Sequence, residues 1–128
     1  MDILSDTQIH GALGDEGLTK LVAAFYKRVP TDDILGPMYP KHELAESEVR
    51  LREFLIQRFG GSTAYSDKRG HPRLRMRHAP FHINMAARNR WMRLMEEAMV
   101  ETQIPENIAS IMRTFFSNTA TFMINQFD

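Results

Sequence analysis

Apolar residues recur at three- and four-residue spacings through most of the chain, the signature of helices that bury one face. Between residues 15 and 29 they fall at Leu18, Leu21, Val22, Phe25, Tyr26 and Val29, and Pro30 closes the run. Residues 41–59 carry Leu44, Leu51, Phe54, Leu55 and Phe59 on one face before Gly60 and Gly61 stop the helix as a C-cap. A third helix is predicted over 84–102, with Asn84 as N-cap and Ala87, Trp91, Leu94, Met95, Ala98 and Met99 turned inward. The fourth, over 105–125, has Pro105 in its first turn and Ile108, Met112, Phe115, Phe116 and Phe122 on its stripe. Residues 1–13 are weakly patterned and allow a short helix from Ser5 or Asp6. Pro30, Gly36, Pro37 and Pro40 turn residues 31–40 into a compact corner bearing Met38 and Tyr39, and residues 62–70 read as a loop. With no β alternation and no internal repeat, the chain is an all-α single domain with a long irregular middle. Such a middle is uncommon unless it is functional or fastened to something.

That middle contains the chemically richest stretch, RGHPRLRMRHAPF at 69–81. Pro72 and Pro80 confine any helix there to very few residues and place its break at Ala79. His78 then sits in the last turn, sharing a face with Leu74, while Arg73 and Arg77 form a second pair on another face. Three readings follow from these residues: a structural histidine at a helix C-terminus, an anion patch built by Lys68, Arg69, Arg73, Arg75 and Arg77, or an axial ligand to haem iron flanked by arginines that answer propionates.

Three polar groups interrupt the apolar stripes. Tyr26 is either a core phenol bonded to a carbonyl or a ligand-contacting donor. Ser47 lies four before Leu51 and seven before Phe54, where its hydroxyl either bonds back to the helix or meets something polar. Trp91, the single tryptophan, has only a donor to offer and needs an acceptor when buried.

Composition narrows these choices. Sixteen basic and sixteen acidic residues leave no net charge over 128 residues, so the basic island is local and general binding to nucleic acid or anionic membrane is not expected. The absence of cysteine excludes disulfides, thiolate metal sites and covalent haem attachment. No apolar run is long enough to span a bilayer, and a cytoplasmic protein is the expectation.

The run YSDKRGHPRLRMRHAPFHI, with FYKRV upstream, MYP at the corner, FGG after the second helix and RNRWM opening the third, resembles the truncated haemoglobins, specifically their second group. The match extends over residues 14–95. The resemblance implies a globin-like two-over-two helical sandwich holding haem b without covalent bonds. It makes His78 the proximal iron ligand and Tyr26, Tyr39 and Trp91 the distal polar groups. Arg77 and Arg50 are then the positions that approach the propionates, Ser47 and Leu51 lie nearest a gas ligand, and Phe54 and Phe81 line the pocket, with which Leu74 and Met95 are counted. Ser47 departs from the alanine, glutamine or histidine common at its position, and Ser62 replaces a frequent proline.

The implied function is binding of dioxygen and related diatomics, nitric oxide and carbon monoxide among them. Tyr26, Tyr39 and Trp91 bring donors from three separate segments, and dioxygen that has drawn electron density from ferrous haem is an acceptor for them. Retention of oxygen suits redox chemistry such as nitric oxide dioxygenation or peroxide chemistry, with an external reductase. A carrier, store or sensor using the same pocket is the alternative, and a haem-free interaction module a remote one. The resemblance also points to a homodimer, for which no stripe in the sequence argues.

Overall fold

The computed structural model describes residues 5–128. Six helices follow one another: α1 (Ile9–Tyr26), α2 (Leu44–Arg58), α3 (Ala64–Arg69), α4 (Leu74–Arg77), α5 (Met85–Glu101) and α6 (Glu106–Phe122). Short 3-10 turns at Asp6–Gln8, Gly36–Met38 and Lys41–Glu43 lead into them, and no strand occurs among the described residues. Helix α1 packs along α2, α5 along α6, and the two pairs meet where α1 crosses α5. This is the two-over-two sandwich expected from the sequence. No helix among the described residues is long and apolar enough to cross a membrane.

The predicted stripes supply the core. Leu18, Leu21, Val22 and Phe25 of α1, Leu55 of α2, Met95, Ala98 and Met99 of α5 and Met112 and Phe116 of α6 are all buried together. Burying one such large side chain contributes about 1.5–3 kcal/mol, so the interlocked stripes are the main stabilising force. Ion pairs brace the outside: Arg28 and Lys27 at the end of α1 hold Glu101 of α5 at 2.8 and 2.6 Å. The guanidinium of Arg113 on α6 grips Glu96 of α5 through two bonds of 2.9 Å.

Several boundaries differ from expectation. The short first helix and the run from residue 15 are joined end to end in α1, with a bend at Gly14 (φ 71°, ψ 175°), a conformation open to glycine and closed to other residues. Helix α1 ends at Tyr26 and α6 at Phe122, each three residues before the predicted end, because the last turns loosen while Val29 and Ile124 stay buried. The expected loop at 62–70 contains α3. Thr63 Oγ1 donates to Asp67 at 3.2 Å, Gln57 accepts the Ser66 N–H at 3.0 Å, and Tyr65 is buried beside Phe54. One buried residue in six has no periodicity to display, which is why the pattern leaves α3 unseen.

The start of the chain is pinned to the end of α2. The His10 N–H donates to the Phe59 carbonyl at 2.8 Å, and Arg58 holds Asp6 at 2.7 Å. Gly60, at φ 104°, lies so close that a Cβ there would stand 1.9 Å from the Thr7 carbonyl oxygen. Gly60→Ala therefore combines a backbone penalty with a collision of the new methyl with the Thr7 main chain, and should cost about 2 kcal/mol or more. Gly14→Ala meets nothing within 4 Å and carries only the backbone penalty. Urea denaturation should show the larger loss for Gly60→Ala.

Candidate functional site

Helix α4 is one turn long. It begins from Arg73 in the left-handed region (φ 44°) and has His78 as its C-cap. The Nδ1 atom of His78 lies 2.7 Å from the Leu74 carbonyl oxygen. A carbonyl can only accept, so Nδ1 is the donor, and in the neutral ring the lone pair lies on Nε2. The ring is half-buried against Phe81, centroids 6.2 Å apart. A neutral imidazole with one nitrogen committed and the other available is the state in which histidine binds a metal ion.

The segment carrying His78 is tied down by the basic residues around it. Arg69 and Lys68 on α3 both bind Glu53 of α2, at 2.9 and 2.8 Å, and Arg69 lies over the Tyr65 ring. Hydrogen bonds from these two cations hold the Glu53 carboxyl below its ordinary pKa. Arg77 donates to the carbonyls of Arg69 and His71 at 3.0 and 3.5 Å. Arg75 donates to those of Phe122 and Ile124. Lys68, Arg69, Arg75 and Arg77 are thus all bonded to the protein's own oxygens, and Glu53 offsets the charge of the first two.

A second cluster gathers the three polar rings. Tyr26 ends α1, Tyr39 follows the Gly36–Met38 turn and Trp91 lies on α5. The rings of Tyr26 and Tyr39 meet edge to face at 5.8 Å, and Phe25 touches both Tyr26 (5.2 Å) and Trp91 (5.1 Å). Burial pushes the Tyr26 phenol far above the usual tyrosine value, and the neighbouring Tyr39 adds to the shift while the Arg50 guanidinium opposes it. Burial raises Tyr39 as well, partly offset by the donors of Trp91 and Tyr26 beside it. Both phenols therefore keep their protons and remain donors.

The corner that presents Tyr39 is held by two residues that sequence reasoning missed. Asp32 accepts from the N–H groups of Ile34 and Leu35 at 3.0 and 2.8 Å. Its other oxygen takes a 2.7 Å bond from Arg90, the neighbour of Trp91 on α5. Burial works against the Asp32 charge, yet those N–H groups and Arg90 hold its carboxyl below the ordinary range. An aspartate two residues after Pro30 is a turn signal that could have revealed its half of this brace. Arg90, on the polar face of α5, offers none.

The remaining candidates are distributed as follows. Ser47 neither bonds back to its helix nor stands alone; it accepts from Arg50 at 3.0 Å, and Arg50 also lies 3.7 Å from Glu46. Leu51 and Phe54 are only half-buried although they share the apolar stripe of α2 with buried Leu55, and Phe54 rests on Tyr65 and Phe115. Leu74 is half-buried and Phe81 more exposed, whereas Met95 is wholly enclosed in the core. Leu51, Phe54, Leu74 and Phe81 thus keep apolar surface that the protein does not cover.

The family model for bacterial-like globins matches residues 8–125. A group 2 truncated haemoglobin of Bacillus subtilis is 36% identical over 90% of this chain and 86% of its own. The crystal structure of a truncated oxygen-avid haemoglobin from Bacillus subtilis superposes with a TM-score of 0.86 at 34% identity, covering 91% of this chain and 98% of that one. The group II truncated haemoglobin of Bacillus anthracis gives 0.89 at 32% identity, over 93% and 97%.

The chain belongs to the group II truncated globins. It is a haem-binding globin, and globins bind diatomic gases. The residues present fit that cofactor: an imidazole with a free lone pair, uncovered apolar side chains for a flat macrocycle, and a group of proton donors that have not ionised.

In this globin Tyr26 and Tyr39 hold their protons harder when folded than when unfolded. Their contribution to stability is full below the ordinary tyrosine value of 10.0 and is lost as pH rises above it, where the unfolded chain ionises first. Denaturant unfolding from about pH 9 to about pH 11 should show stability falling, and Tyr26→Phe should fall less steeply. Equal slopes would contradict the burial of that phenol.

Proposed function

We propose that this globin holds haem b non-covalently through Nε2 of His78 and uses Tyr26, Tyr39 and Trp91 as donors toward a gas ligand. The observation that carries this reading is the 2.7 Å bond from His78 Nδ1 to the Leu74 carbonyl, which leaves the second nitrogen basic and oriented. Haem, when bound, supplies an iron that takes up a diatomic gas and shares electron density with it. Tyr26 holds its proton on a phenol too deeply buried to ionise, ready to donate to a ligand oxygen of partial negative charge. Leu51 and Phe54 would keep water from a gas ligand, and Phe81 from the His78 ring. Arg50 lies close enough for its charge to be felt at Tyr26, so it belongs to the electrostatics of the donor cluster as well as to the propionate side.

A charge-assisted bond of this kind contributes roughly 1.5–3 kcal/mol, enough to slow oxygen release about ten- to a hundredfold. Retention of this order suits reaction more than delivery, and one similar structure is that of a haemoglobin described as oxygen-avid. Nitrate formation from dioxygen and nitric oxide is the turnover that fits best. It takes up one electron for each pair of gas molecules consumed. That electron is the part a reductase would supply.

His78→Gly should abolish the Soret band of the reconstituted protein or make it depend on added imidazole; an unchanged spectrum would remove His78 as the ligand. Tyr26→Phe should raise the oxygen dissociation rate in stopped-flow by up to about tenfold, muted where Trp91 compensates. Fast oxygen release in the unsubstituted globin, without consumption of nitric oxide, would make it a carrier.

A further inference from the structure

Beyond the end of α6 the chain folds back over the segment that carries His78. The N–H groups of Asn125 and Gln126 donate to the Ile83 carbonyl at 2.9 and 3.1 Å. Arg75 reaches the other way, to the carbonyls of Phe122 and Ile124. At the end of this strap His82 Nε2 meets the Asp128 carboxylate at 2.8 Å.

Within the strap the Asn125 side chain alone reaches the His78 peptide. Its Nδ2 lies 2.9 Å from the Phe81 carbonyl and 3.3 Å from that of His78, and its Oδ1 accepts the Ile83 N–H at 2.9 Å. The orientation of the amide is dictated by its partners, since carbonyls need a donor and an N–H needs an acceptor. Pro80 explains why such a clamp is required. It contributes no N–H and breaks the helix, so past the local turn bonds of His78, Ala79 and Phe81 the Phe81 carbonyl and the Ile83 N–H draw partners from elsewhere. The His78 carbonyl is thereby fixed by Phe81 N–H (3.0 Å) and Asn125, while its ring is fixed by Leu74.

We infer that Asn125 is a positioning residue for the proximal histidine, setting through the 78–81 backbone the angle at which Nε2 is presented to iron. The inference rests on the reading of His78 as the iron ligand. An aspartate at this position would keep the acceptor for Ile83 and turn an oxygen toward two carbonyls. A serine would be too short to span them.

The test uses the full chain reconstituted with haem. Resonance Raman spectra of the ferrous, ligand-free protein report the iron–imidazole stretch, and transfer of haem to an excess of a scavenging apoglobin reports its release. Asn125→Asp and Asn125→Ser should each shift or broaden the stretch and speed haem loss roughly tenfold, the lower end of what outer-shell substitutions do at metal sites. Asp128→Asn, which loosens the same strap where it meets His82 and Asn84, should leave the stretch unmoved even where the melting temperature falls. An unshifted band in the Asn125 variants, or an equal shift in Asp128→Asn, would overturn the inference. Absence of an iron–imidazole band in the unsubstituted protein would instead overturn the assignment of His78 itself.

Discussion

The proton that His78 gives to the Leu74 carbonyl is the constraint from which the proximal half of the molecule can be understood. It exists only if residues 74–78 form a helical turn. A helix of four residues, entered through a left-handed Arg73 and ended before Pro80, has negligible stability of its own. It must be held from outside, and the surrounding contacts do this: Glu53 fixes α3, Arg77 joins α4 to the end of α3, and Arg75 joins it to the end of α6. The cluster that looks like a patch of positive charge in the sequence is a scaffold that lends order to one imidazole.

The distal cluster depends on a different force. Tyr39, Tyr26, Phe25, Trp91 and Phe116 form an unbroken series of ring contacts running from the corner into the core. Tilted and edge-to-face contacts fix the rings more firmly than area burial alone. The Asp32–Arg90 pair closes the arrangement by fastening the corner beside Tyr39 to the helix beside Trp91. Because the rings share neighbours, the effects of substitutions among them will not add.

The four long helices are legible in the sequence because each displays a stripe of five or more apolar residues at helical spacing, and the burial such stripes drive overrides local propensity. Helix α3 is not, since it is built by side-chain bonds of Thr63, Gln57 and Ser66 around a single buried tyrosine. The same limit applies at the site. Tyr26, Trp91 and His78 stand out individually, as polar groups on apolar stripes or between prolines, and the family resemblance groups them. The groups that hold them in place, Asp32, Arg90, Glu53 and Asn125, are ordinary surface residue types whose partners lie far off in sequence, as with Arg90 and Asp32, 58 positions apart. An asparagine just beyond a helix end is a familiar cap residue, yet the apolar stripe of α6 runs on past Phe122 and conceals where that end falls.

The commitment of Lys68, Arg69, Arg75 and Arg77 to internal oxygens reaches beyond the proximal loop. Lys68 and Arg69 face the Glu53 carboxylate a few ångströms away, and such pairs contribute little potential past the Debye length, about 10 Å at 0.1 M salt. With sixteen charges of each sign overall, the molecule projects only a weak long-range field. Dioxygen and nitric oxide, being uncharged, lose nothing by this. A charged small molecule would likewise find no long-range steering toward the surface, and its encounter rate would be nearly indifferent to ionic strength.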